Sequence, residues 1–371
     1  MKKMKIKAKA MNYKYLIISA LILLAGSSVL AQNFTEKRTY RQAVKVNRQT
    51  SLDIRNKYGT IHLSPSRNDS VKVVVEIEAN ASNHEKTSKM LSGININITQ
   101  ADNLVIAQTQ FTESITQIFE DFKGLTNKLI QYDSRIVINY FITAPEYMDL
   151  RIDNKYGDVI MENCSGDVYV SLSNGSLRAG ELEKKVDLDL SFCDANIEKL
   201  PDATLDLSFS EIKISDIGSA RISSVSSRFD FKNAGKINTD SKRDKFFIGT
   251  LGSLKGDAYF TDFRIEKLTG DLDLLSKYGS LDIELIEKGF GNFSLNSGFS
   301  DIDLKFESSA SYTLDLRHTN TSIMVPETNV TLEKKAVNED RGEYITYGKV
   351  GRGQGQKTVK IEANRGRVYI R

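Results

Sequence analysis

Asn154-Lys155-Tyr156-Gly157-Asp158-Val159 is nearly repeated as Asn56-Lys57-Tyr58-Gly59-Thr60-Ile61 and as Ser276-Lys277-Tyr278-Gly279-Ser280-Leu281. Two apolar residues at alternate positions precede each copy: Leu150 and Ile152, Leu52 and Ile54, Leu272 and Leu274. Alternation, a glycine turn and renewed alternation read as strand, turn, strand. Weaker versions stand at Asn174-Gly175-Ser176-Leu177, Asn296-Ser297-Gly298-Phe299 and Asn364-Arg365-Gly366-Arg367-Val368. The chain is one small unit used many times.

Outward from these turns the spacing is countable. Val159, Leu177, Ala195, Ile212, Phe229, Phe247, Phe263, Leu281, Ile302 and Ile323 follow successive turns at intervals of 16 to 21 residues. A period near twenty is too short for helix pairs or propeller blades and suits a coil of β-strands. The expectation is an all-β, right-handed β-solenoid with coils of about 16–21 residues. Val186-Asp187-Leu188-Asp189-Leu190 and Asp301-Ile302-Asp303-Leu304 then turn apolar residues inward and aspartates outward. The last strands, 357–361 and 366–370, are expected to close the final coil.

Two helices interrupt this rhythm. Asn83 to Leu91 reads as a short polar helix with Asn83 as cap and Gly93 as stop. Residues 112–130 place Ile115, Ile118, Phe119, Phe122, Leu125 and Leu129 at helical spacing, an amphipathic insertion that either caps one end of a core or offers a ligand flap or partner surface. The organisation is a signal peptide at 1–31, an N-terminal β region at 32–145 with that insertion, and β-solenoid repeats at 146–371, continuous with it.

The signal peptide follows from six lysines and no acid between Lys2 and Lys14, an apolar run from Tyr15 to Leu24, and Val29 and Ala31 ahead of the cleavage point. Without those lysines the formal charge of +3 becomes −3, which removes the support for a nucleic-acid partner. No other apolar run reaches membrane-spanning length, so the mature product belongs in the periplasm or at the cell surface. Cys164 and Cys193 are the only cysteines. They suffice for one disulfide in an oxidising compartment, or they are two small buried residues a rung or two apart.

The turn pairs Lys57-Tyr58, Lys155-Tyr156 and Lys277-Tyr278 are the candidate binding residues. Tyrosine offers an apolar face with a polar tip, and lysine beside it attracts anionic groups. Their alternative role is to shield the coil edge, and even stacking would keep the three copies five and six coils apart. The asparagines Asn56, Asn154, Asn174, Asn296 and Asn364 suit a single corner ladder. The aspartate pairs have a spacing that acid–base catalysis tolerates, but alternation with leucine already explains them. His62, His84 and His318 stand alone, no calcium loop or nucleophile elbow is present, and nothing calls for a metal or cofactor.

With its signal peptide, Asn-x-x-Gly-x-apolar-x-apolar turns at 56–63, 154–161 and 364–370, and aspartate–leucine coils, the chain resembles the secreted putative adhesin family of bacterial envelopes, related to auto-transporter adhesin head domains of Bacteroidetes. The resemblance covers roughly residues 45–371, and the 112–130 helix departs from it. It implies a right-handed β-solenoid outside the cytoplasm with no established catalytic residues. The function expected is a non-enzymatic adhesin-like module that presents an extended β surface to a cell-envelope polysaccharide or protein. A β-helical polysaccharide lyase or hydrolase is the enzymatic alternative, and an envelope sensor or scaffold with a protein partner is the third.

Overall fold

The computed structural model describes residues 34–113, 135–353 and 357–371. They are all-β with one short helix, His84–Ser92, near the N-terminal end. From Leu150 to Phe306 the strands of each coil lie parallel to those of the next. The register advances by 18 residues at Val168↔Val186, 17 at Ile212↔Phe229 and 21 at Leu281↔Ile302. Alternation makes this possible: in a fixed parallel register, every inward residue lands on an inward residue of the next rung.

One buried column runs through Val159, Leu177, Ala195, Ile212, Phe229, Phe246, Phe263, Leu281 and Ile302. Its phenylalanines stack, with ring centroids 4.3 Å apart for Phe229–Phe246 and 4.8 Å for Phe246–Phe263. The expectation had placed Phe247 in this column. Phe247 instead points outward, with the Arg228 guanidinium 4.0 Å from its ring centroid. Two adjacent phenylalanines carry no parity signal, and the neighbouring rungs decide which one enters.

Sequence order and stacking order part company at both ends. Ser51–Lys57 lies parallel to Leu150–Lys155, pairing Leu52 with Leu150 and Lys57 with Lys155 across 98 residues. The intervening chain forms a cap. Ser70–Ala81 runs antiparallel between Phe34–Lys45 and Arg135–Pro145, and Ile94–Ala101 forms a hairpin with Leu104–Phe111. The helix His84–Ser92 starts where expected: Asn83 Oδ1 accepts the Lys86 N–H at 2.8 Å, and the Gly93 N–H closes on Lys89 O. The helix expected over 112–130 lies, but for its first two residues, outside the described residues, as does the signal peptide at 1–31.

At the other end the C-terminal strand Lys357–Ile370 does not follow the last coil. It is inserted between Phe293–Phe306 and Tyr312–Met324, parallel to both: Val359 meets Phe293 on one side and Leu314 on the other. Ile323 is therefore two rungs from Ile302, with Val368 between them. The inserted strand brings Val359, Ile361, Val368 and Ile370 to inward positions and pairs Arg367 with Asp301 and Arg371 with Asp303 at 2.6 and 2.7 Å. The segments Val330–Asn338 and Glu343–Val350 form an antiparallel hairpin on the outer side of Tyr312–Met324.

Candidate functional site

Each coil turns one corner on a residue of left-handed backbone. By register, Tyr58, Tyr156, Asn174, Phe192, Phe209 and Ser226 continue into Arg243, Phe260, Tyr278, Phe299, Arg365 and Asn320 as one column, with φ between +47° and +67°. Left-handed backbone costs an L-residue roughly 1–2 kcal/mol. Asparagine tolerates it best among non-glycine residues, and bulky side chains there are uncommon. Yet seven of the twelve positions are Tyr or Phe.

The residue after each corner is small and faces inward. Ser210 Oγ accepts the Cys193 N–H at 3.0 Å, Ser227 Oγ the Ser210 N–H at 3.3 Å, Asp244 Oδ1 the Ser227 N–H at 2.6 Å, and Thr261 Oγ1 the Asp244 N–H at 3.3 Å. Side chains thus satisfy the corner N–H groups that the ladder misses. At Gly157 the position is glycine for lack of room: a Cβ there would lie 2.0 Å from Gly59 O. Under the glycine corners Asn56 and Asn154 pair in register and are buried, and Asn154 Nδ2 donates to Gly59 O at 3.0 Å and Asp158 O at 3.1 Å. The expected five-member asparagine ladder is not formed. Asn174 occupies the left-handed column, Asn296 faces Leu275 and Glu362, and Asn364 faces Gly298 and Thr319.

The aromatic corner residues stand outside and stack in runs. Tyr58 and Tyr156 are parallel at 5.5 Å, with Lys57 Nζ 4.6 Å from the first ring and 6.0 Å from the second. Phe192 and Phe209 stack at 5.1 Å. Phe260, Tyr278 and Phe299 form a triple stack at 4.9 and 5.1 Å, closed by the Arg365 guanidinium 5.1 Å from Phe299. Phe192, Phe209 and Phe260 keep 57%, 53% and 58% of their surface exposed.

The insertion of a 98-residue excursion corrects the expectation that the Lys-Tyr copies stay far apart. Lys57-Tyr58 and Lys155-Tyr156 are on touching rungs, whereas Lys277-Tyr278 lies seven rungs further along the same column. Phe192, Phe209, Phe260 and Phe299 were not among the sequence candidates. Their signal was present as an aromatic followed by a small residue: Phe192-Cys193, Phe209-Ser210, Phe260-Thr261 and Phe299-Ser300, in phase with Tyr278-Gly279.

The faces beside this corner are polar. The expected aspartate pairs point outward but are tied to cations: Asp187 to Lys185 at 2.9 Å, and Asp301 and Asp303 to the arginines of the inserted strand. Burial, and then the neighbouring Asp206, push the Asp189 carboxyl above its usual range. A shallow depression of about 800 Å³ follows the rungs past Lys185, Asp202, Arg221, Lys236 and Lys255. Among the described residues no three His, Cys, Asp or Glu side chains gather as metal ligands. No bridge joins the cysteines: both are buried free thiols, Cys164 beside Met148 O at 3.6 Å and Cys193 donating to Leu172 O at 3.2 Å. Cys164 pairs with Leu182 and Cys193 with Gly175, which puts them on different columns. Burial pushes both thiols up.

No family model and no curated protein matches the chain. Among solved structures it is similar to one described as a putative adhesin from Parabacteroides merdae, with 9% identity over 72% of this chain and 95% of that one and a TM-score of 0.34. A putative lipid binding protein from Parabacteroides distasonis gives 13% identity over 71% and 93%, with a TM-score of 0.35. A putative cell adhesion protein from Clostridium sporogenes gives 10% identity over 90% and 99%, with a TM-score of 0.21. Likeness at this level carries nothing about what the chain binds, which has to be read from its own surface.

Proposed function

We propose that this chain is a right-handed β-solenoid, exported from the cytoplasm, that acts as a non-enzymatic, adhesin-like binding module and lays an extended envelope polysaccharide along its aromatic corner. One observation carries the reading: exposed aromatic rings occupy left-handed backbone positions on successive rungs. Edge shielding accounts for the buried half of each ring, with aromatic pairing adding about 0.5–1.5 kcal/mol beyond the area buried. It leaves Phe192, Phe209 and Phe260 more than half exposed along one column, which is better explained by what the rings present to solvent. A stack of rungs supplies the length that a polymer needs. The pairing of Asp187, Asp301 and Asp303 with cations counts against the lyase or hydrolase alternative.

The test is binding of the purified chain to an array of glycans and envelope polymers, with the same wells then assayed for cleavage products. Saturable binding without products, weakened by Tyr156→Ala or Tyr278→Ala, is the expected result. Released products would overturn the non-enzymatic reading. Binding that is indifferent to both substitutions would remove the corner from it, and a blank array would favour a protein partner.

A further inference from the structure

We propose that the interval of the corner between Phe209 and Phe260 is a subsite for an acidic sugar residue, formed by two outward ring faces and the cations of Lys242, Arg243 and Lys245. The inference rests on the reading of the corner as a polysaccharide-binding surface and adds the chemical class of the polymer.

The aromatic column is broken here for two rungs. Phe209 stacks on Phe192 and Phe260 on Tyr278, each away from the interval, where Ser226 and Arg243 hold the corner. Three rung spacings of about 4.8 Å place the two rings roughly 14 Å apart. Each therefore offers one face to the interval, a surface against which the C–H side of a sugar ring packs. The floor between them is basic. Ser241-Lys242-Arg243-Asp244-Lys245 puts three cations into five residues, with Lys242, Arg243 and Lys245 all exposed.

The nearby acids offset this floor only in part. Asp244 lies buried beneath it, with its oxygens accepting from Ser224 Oγ, Ser241 Oγ and the Ser227 and Lys242 N–H groups. Glu211 is held by Lys213 at 3.1 Å and Arg228 at 3.8 Å, and Asp262, which accepts from Ser280 Oγ at 2.7 Å, is the cross-strand partner of Lys245, so the net positive charge rests on Lys242 and Arg243. Asp240 and Asp257 stand on the adjoining face, separated from the corner column by Lys242 and Tyr259. Arg243 Nε donates to Ser226 Oγ at 3.3 Å, which turns the guanidinium into the interval. Its remaining N–H groups suit a carboxylate, which accepts two parallel bonds from a planar fork.

The experiment titrates the full chain with an oligogalacturonate and with the same oligosaccharide fully methyl-esterified, which keeps the sugar rings and removes the charge. The acidic form is expected to bind at least about tenfold more tightly at low salt, the loss of a charge-assisted bond being of that order. Added salt should narrow the gap. Arg243→Gln should bring the acid to the level of the ester and leave the thermal unfolding curve in place. Equal binding of both forms, with Arg243→Gln silent, would overturn the acidic subsite and leave the corner reading standing. Equal loss of both forms in Arg243→Gln would overturn it as well. Absence of binding to either form would also overturn it, and neutral-glycan binding on the array would show whether the corner reading survives.

Discussion

The Asp244 carboxylate tests how the corners are held together. It is fully buried and receives the Ser227 N–H at 2.6 Å, the Lys242 N–H at 3.1 Å, and the Ser224 and Ser241 hydroxyls at 2.6 Å each. Asp244→Ala removes the acceptor from the buried Ser227 N–H and the part-buried Lys242 N–H. Each costs roughly 1–3 kcal/mol when left unsatisfied. Ser241 keeps Thr261 Oγ1 at 2.9 Å, so the hydroxyls add less. The expected loss is about 3–4 kcal/mol. With a denaturant slope of about 3 kcal/mol/M, the urea midpoint should fall by about 1 M. Asp244→Ser should recover about half of the loss, because serine fills this place in the preceding rungs, where Ser210 and Ser227 each accept one corner N–H. The assay is urea unfolding followed by far-UV circular dichroism. An alanine variant within about 0.5 kcal/mol of the parent, or a serine variant no better than alanine, would refute the view that these side chains substitute for missing ladder bonds.

Gly157→Ala should destabilise by about 1–3 kcal/mol or more, since its Cβ would meet backbone rather than a yielding side chain. Gly289→Ala, with nothing within 4 Å of its Cβ, should unfold like the parent, and equal melting temperatures for the two variants would deny the stacking of residues 51–66 on 150–161. The hydrogen bonds from Arg367 hold the Asp301 carboxyl below its ordinary pKa. That contribution is therefore present above the unfolded value near pH 4 and lost as pH falls through the lower folded value. For so exposed a pair the contribution is small and screened by salt. Arg367→Ala should lower thermal stability slightly at pH 6 and leave it unchanged at the low end of that window, and a loss of equal size at both pH values would contradict the pairing. Native protein should react slowly with iodoacetamide at pH 8, because burial raises both thiols and hides them, and unreduced protein in denaturant should take up two labels by mass. No uptake in denaturant would mean a disulfide.

The all-β character was legible because strand alternation and small turn residues are local properties, written into Leu150 to Val159 and its copies. The short helix was legible for the same reason, through Asn83 and Gly93. Part of the aromatic corner was legible too: Tyr58, Tyr156 and Tyr278 were singled out by their glycines. The four phenylalanines escaped because Cys193, Ser210, Thr261 and Ser300 replace glycine after them, and an aromatic beside a small polar residue marks a corner only once the period places it there.

What the sequence by itself determined is the rung: the alternation along each strand, where a coil bends, and that bends recur every 16 to 21 residues. Which rungs touch was decided by tertiary structure alone. Backbone pairing between parallel strands is indifferent to the length of chain that joins them, so Lys57 and Lys155, 98 positions apart in sequence, can be rung neighbours, and the C-terminal strand can enter between two earlier ones. The same holds for Phe246 and Phe247, equal as residues and divided only by the neighbours above and below. The aromatic column belongs to that second level: it exists because distant corners stack.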